Sequence, residues 1–229
     1  MSLRDLAGRQ FLSTLLVGMA AYMGLASNGV AHPHVWATVR SEIVLDNQQR
    51  ITGVRHAWTF DEFYTAMALE GLDTDGDGKY SKDELKPLAE VNVTSLKEFD
   101  YFTYVHLREG DDPLPLEPPV NYWVDFDGTL LTLHFTLPLK AKLETAGNHV
   151  RLDVYDPSFF VAFGFAKDAT AVKLAGDAVL GCSASVKNPD PDSEVEAKAL
   201  SEAFFSQLGP DSNYGSQFAQ TAVVTCAKQ

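Results

Sequence analysis

The 229 residues carry 31 acidic against 18 basic side chains, a formal net charge of −13 with the six histidines neutral. Apolar residues at 45% and charged residues at 21% suit a folded chain and not a disordered one. The acid excess excludes a general nucleic-acid binder, which needs cations to neutralise phosphates, and argues against an anionic membrane surface as partner.

Residues 1–31 read as a secretory signal peptide. Arg4 and Arg9 give a basic start, an apolar stretch runs from Phe11 to Leu25, and small residues at Gly29 and Ala31 mark a cleavage site. The apolar run is about 15 residues, short of the roughly 20 that a spanning helix requires, so no membrane span is expected after cleavage. The expected product is a periplasmic protein of residues 32–229. Its two cysteines, Cys182 and Cys226, are expected to pair in an oxidising compartment.

From His34 to Leu45 the chain alternates as a strand, with Val35, Ala37, Val39, Ile43 and Leu45 on one face. Asp46–Gln49 reads as a turn. Ile51–Phe60 alternates again, with Val54, His56, Trp58 and Phe60 sharing a face, which predicts a hairpin. Asp61–Leu72 and Asp83 to about Asp100 show helical spacing, separated by an acidic glycine-rich loop. Strands are then predicted over Tyr101–Leu107, Val120–Asp127 and Thr129–Leu137, the last two joined at Asp127-Gly128, a hairpin signal. Further strands are predicted at His149–Tyr155, Phe159–Phe165, Ala171–Val186 and Gln217–Cys226, with a helix over Glu194–Leu208. This order predicts an α+β fold: one domain over 32–229, an antiparallel β-sandwich with an inserted helix–loop–helix at 61–100.

The acidic loop, residues 73–84, has the ligand spacing of the twelve-residue EF-hand calcium loop. Calcium takes six to eight hard oxygens. Asp73, Asp75 and Asp77 supply carboxylates at positions 1, 3 and 5, and Gly78 permits the sharp turn at position 6. Lys79 offers its carbonyl, Ser81 a ligand through water, and Glu84 a bidentate carboxylate. Tyr80 departs from the aliphatic residue usual at its position. Sensor loops work in pairs, and a single loop points to a structural calcium site.

A second metal site is expected at the mature terminus, His32-Pro33-His34. A terminal histidine chelates through its α-amino group and Nδ1, and His34 adds an imidazole, a donor set that suits Zn, Ni, Co or Cu. His56 reads as a buried structural histidine. His106, His134, His149 and Asp156 are candidates to complete a site, although Asp156 before Pro157 reads first as a turn residue.

Five stretches together resemble a family of uncharacterised periplasmic proteins described as the periplasmic component of an ABC-type or nickel/cobalt-type transport system. They are Ala31–Trp36, Trp58–Phe63, the Asp-rich loop before Glu84, Phe99–Thr103 and Tyr155–Phe160. The resemblance implies an accessory role in divalent transition-metal transport, with a membrane transporter or permease as partner. The terminus alone is similar to those of periplasmic copper chaperones. No catalytic motif is present: there is no Gly-x-Ser-x-Gly, His-Glu-x-x-His or P-loop. The expectation is therefore a non-enzymatic metal-binding accessory protein. The alternatives are a calcium-stabilised interaction module, in which the histidines are incidental, and an amino-terminal copper protein.

Overall fold

The computed structural model describes residues 33–108, 110–145, 149–176, 181–191, 204 and 212–227. The chain divides between Ala31 and His32, and all described residues belong to the second unit. The predicted signal peptide (residues 1–31), His32 and the predicted helix over Glu194–Leu208 (Phe204 apart) lie outside the described residues.

The predicted hairpin forms from β1 (Val35–Leu45) and β2 (Arg50–Phe60), paired antiparallel. Asp46 closes its turn: Oδ1 accepts from the amides of Gln48 and Arg50, each at 3.0 Å, and Oδ2 takes the Arg50 guanidinium. β5 (Leu131–Glu144) pairs with β2, and β4 (Val120–Phe126) forms the edge beyond it. On its other side β1 carries β7 (Val161–Phe165) and β8 (Val172–Ala175). The second sheet has the order β3 (Thr103–His106), β6 (His149–Val154), β10 (Thr221–Cys226), β9 (Cys182–Lys187).

Alternation explains the packing. In β1 every second residue from Val35 to Leu45 is buried, and in β2 the face of Val54, His56, Trp58 and Phe60 is buried. Val150, Leu152 and Val154 of β6 and Ala222, Val224 and Cys226 of β10 join the same apolar core. Cys182 and Cys226 are directly opposed on β9 and β10 and form a disulfide across a separation of 44 residues. Closing a loop of that length contributes about 4 kcal/mol in the chain-entropy account.

The structure corrects the expected α+β class. The fold is β-rich, built of two sheets, and among the described residues it has only two α-helices, α1 (Glu62–Leu69) and α2 (Lys82–Ser95). The helical segment is not an inserted helix–loop–helix. Leu69 of α1 and Leu85, Ala89 and Val93 of α2 belong to the same core as the sheets, and α2 lies on β4. Periodicity overstated both helices. α1 stops two residues before Gly71, which takes φ +76°, and α2 gives way at Leu96 to a 3₁₀ segment. The sheets are also not wholly antiparallel, because β7 and β8 run parallel to β1. The predicted strand over Ala171–Val186 divides into β8 and β9, which belong to different sheets. No helix among the described residues is long and apolar enough to cross a membrane.

His56 bridges the sheets. Its Nδ1 lies 2.9 Å from Ser41 Oγ on β1 and its Nε2 3.2 Å from Thr103 Oγ1 on β3. Thr103 donates its own proton to the Tyr101 carbonyl at 2.8 Å. Nε2 must therefore donate and Nδ1 accept, which assigns the neutral tautomer. Burial pushes the His56 pKa down from 6.5 to about 3. The unfolded chain binds this proton more readily, so the associated stability is complete above pH 6.5 and is lost as pH falls toward 3. His56→Gln keeps hydrogen-bonding capacity but does not titrate. The stability gap between wild type and His56→Gln is expected to change between about pH 7 and pH 5, by up to roughly 1.4 kcal/mol per pH unit. Denaturant titrations at both pH values check this, and parallel stability curves for the two proteins contradict it.

Candidate functional site

Two features stand out, an acidic loop and an aromatic end. The loop joins α1 to α2. Gly76 and Gly78, at φ +73° and +76°, let the backbone curl so that its amides face inward. Asp73 Oδ1 accepts from Gly76 N at 2.8 Å and from Asp77 N at 3.2 Å, while its Oδ2 accepts from Gly78 N at 3.0 Å. Asp75 Oδ1 accepts from Asp77 N at 3.1 Å.

Glu84 joins the two ends of the loop. Its Oε2 accepts from the amide and hydroxyl of Ser81, at 2.9 and 2.8 Å, and Ser81 Oγ accepts in return from Glu84 N. This is a reciprocal capping box that starts α2. Oε1 accepts from the amide and hydroxyl of Thr74, at 2.7 and 2.9 Å. The Ser81 amide, then the Ser81 hydroxyl and the two Thr74 donors, hold the Glu84 pKa down at about 2.

Three of the four expected carboxylates converge. Ligand atoms of Asp73, Asp75 and Glu84 lie within 4.8 Å of one another, the one such group of three or more among the described residues. Asp77 turns its Oδ1 to the Lys79 amide at 2.7 Å, and the Ser81 side chain serves as helix cap. The donor set is all oxygen and strongly anionic, which fits calcium. Glu84 already accepts four hydrogen bonds, close to the capacity of a carboxylate, so an ion there competes with the Thr74 contacts.

Among the described residues the histidines do not assemble into a metal site. His34 is exposed at the start of β1, its ring 4.7 Å from that of Phe160. His56 is committed to the core. His106 Nδ1 meets the Asp111 carbonyl at 2.8 Å, and its Nε2 lies 3.6 Å from Asp153. His134 stacks on Trp123 at 4.5 Å and bonds Asp125 at 3.0 Å. His149 faces Thr225 Oγ1 at 3.3 Å. Asp156 is buried and organises a turn, accepting from the amide and hydroxyl of Ser158 and from Val161 N.

Four of the five stretches that carry the family resemblance meet; the Asp-rich loop is not part of this junction. Trp36 N donates to Asp61 Oδ2 at 2.8 Å, and Asp61 N returns a bond to the Trp36 carbonyl at 3.0 Å. Asp61 Oδ1 also caps α1 through Tyr64 N. His34 N donates to the Phe160 carbonyl at 2.9 Å, and Tyr155 N to the Phe102 carbonyl at 3.1 Å. This junction leaves Trp36, Phe63 and Phe160 exposed, at 54%, 76% and 46%.

Sequence reasoning missed one element here. Asp100, Tyr101 and Phe102 all take positive φ, at 50°, 56° and 47°, with no glycine to signal it. Each costs of order 1–2 kcal/mol, and burial of Tyr101 and Phe102 offsets that cost.

A two-sheet β-rich protein with an acidic loop and an exposed aromatic end is the class that the geometry defines. Residues 17–226 match the family described as "Protein of unknown function (DUF1007)", and the chain belongs to that family. It is 26% identical over 213 residues to an "Uncharacterized protein" of Haemophilus influenzae, covering 93% of this chain and 98% of that protein. It is also 29% identical over 117 residues to an "Uncharacterized 15.5 kDa protein in trpE 3'region" of Spirochaeta aurantia, covering 51% of this chain and 81% of that one.

Proposed function

We propose that this chain is an exported, calcium-stabilised protein-interaction module. The observation that carries the reading is the convergence of Asp73, Asp75 and Glu84. In this reading one Ca2+ sits among these carboxylates and relieves their mutual repulsion. It displaces the Thr74 contacts of Glu84, and that competition favours weak affinity, near the 10⁻⁴–10⁻³ M typical of extracellular sites. The ion is structural: it fixes the start of α2 and, through α2, the edge strand β4. The partner is a protein with an apolar surface, received at Trp36, Phe63 and Phe160, because exposed aromatic side chains are the ones that anchor interfaces.

Calcium at about a hundredfold over its dissociation constant is expected to raise the melting temperature by roughly 5–10 °C. Asp75→Asn is expected to abolish that shift without lowering the calcium-free melting temperature, since Asp75 accepts a single hydrogen bond within the loop. An equal shift in wild type and Asp75→Asn would overturn the reading.

A second reading rests on His34, which is exposed where β1 begins. With His32 at the new terminus it would hold Zn, Ni, Co or Cu, and the chain would serve a membrane transporter as a periplasmic metal-binding accessory. Mass spectrometry of protein beginning at His32, titrated with each metal, is expected to show one bound ion that the His32→Ala/His34→Ala variant loses. Equal occupancy in both proteins contradicts this reading.

A further inference from the structure

The outer face of the second sheet carries a cavity of about 710 Å³, within the range of small-ligand sites. Its lining reverses the charge of the chain. Arg108, Arg151, Lys187 and His149 face it together with the polar groups of Asn188 and Thr221, and no Asp or Glu lines it among the described residues. In a chain of 31 acids and 18 bases this concentration of cations is unusual.

The fold builds the arrangement from distant parts of the chain. In β6 the inward residues Val150 and Leu152 are buried in the core, so His149 and Arg151 point to the opposite face. Lys187 pairs in register with Thr221, and Thr221 with Asp153, which places them in one row across three strands. Arg108 follows β3, the strand that pairs with β6 on its other side. Asp153, itself almost fully buried, anchors this face. Thr221 donates to its Oδ1 at 2.6 Å, while Arg151 Nη2 and His106 Nε2 lie 3.5 and 3.6 Å from its Oδ2. Through these contacts Asp153 orients Arg151 along the face that lines the cavity.

We infer that this cavity binds a small organic or inorganic oxyanion, a carboxylate or a phosphate. Guanidinium groups present planar forks that match either oxyanion, and Lys187 supplies a compact positive charge. The site is independent of the acidic loop, since it shares no residue with it.

Isothermal titration of the purified protein in calcium-free, low-salt buffer, with succinate and separately with inorganic phosphate, tests this. Saturable binding is expected for at least one. Preference for succinate assigns a carboxylate ligand, and preference for phosphate a phosphate ligand. Arg108→Gln/Lys187→Gln, which alters two exposed side chains, is expected to weaken binding at least about tenfold with an unchanged melting temperature. Should the double variant melt lower, Lys187→Gln alone carries the comparison. No saturable binding of either anion, or equal affinity in wild type and variant, overturns the proposal.

Discussion

Trp58, Phe135 and His56 lie between the two sheets with almost no exposure, and both imidazole nitrogens of His56 are hydrogen-bonded there. An unsatisfied buried polar group costs about 1–3 kcal/mol, a large share of the stability of a domain. Ser41 and Thr103 meet that requirement from opposite sheets. Thr103 can do so because the three left-handed residues before it turn the chain from the 3₁₀ segment into β3. Strain at 100–102, the imidazole bridge and the closure of the sheets are one linked arrangement.

From that core the order extends outward to the candidate site. Asp61 ends β2 and starts α1 while holding Trp36, so one carboxylate turns strand into helix and closes the aromatic end. α1 leads into the acidic loop, and Glu84 ties the beginning of that loop to the cap of α2. α2 lies on β4, and Tyr80 of the loop meets Phe126 of β4 edge-on at 5.4 Å. Tyr80, which departs from the aliphatic residue usual at its loop position, thus has a packing role against the sheet.

Much of this was legible where the determinants are local. The β1–β2 hairpin follows from alternation in adjacent segments and an Asp turn. The loop carboxylates follow from their spacing, and the disulfide from the presence of two cysteines in the chain. What was not legible depends on distant parts of the chain. The parallel pairing of β7 and β8 with β1 leaves no mark in either segment. The left-handed run at Asp100–Phe102 lacks the glycines that would announce it. The turn of Asp77 toward Lys79 depends on which amide each carboxylate reaches first. The cationic cavity draws on residues 108, 149, 151 and 187, each of which looks like an ordinary surface charge in sequence.

In the proposed calcium reading, an ion in the acidic loop stabilises the sheet edge as well as the loop. Amide hydrogen exchange with and without calcium tests this. Calcium is expected to slow exchange in residues 73–84, in the first turns of α2 and along β4, and Asp75→Asn is expected to remove the effect from all three. Exchange that is unchanged by calcium, or slowed equally in the Asp75→Asn protein, would rule out a stabilising ion in the loop.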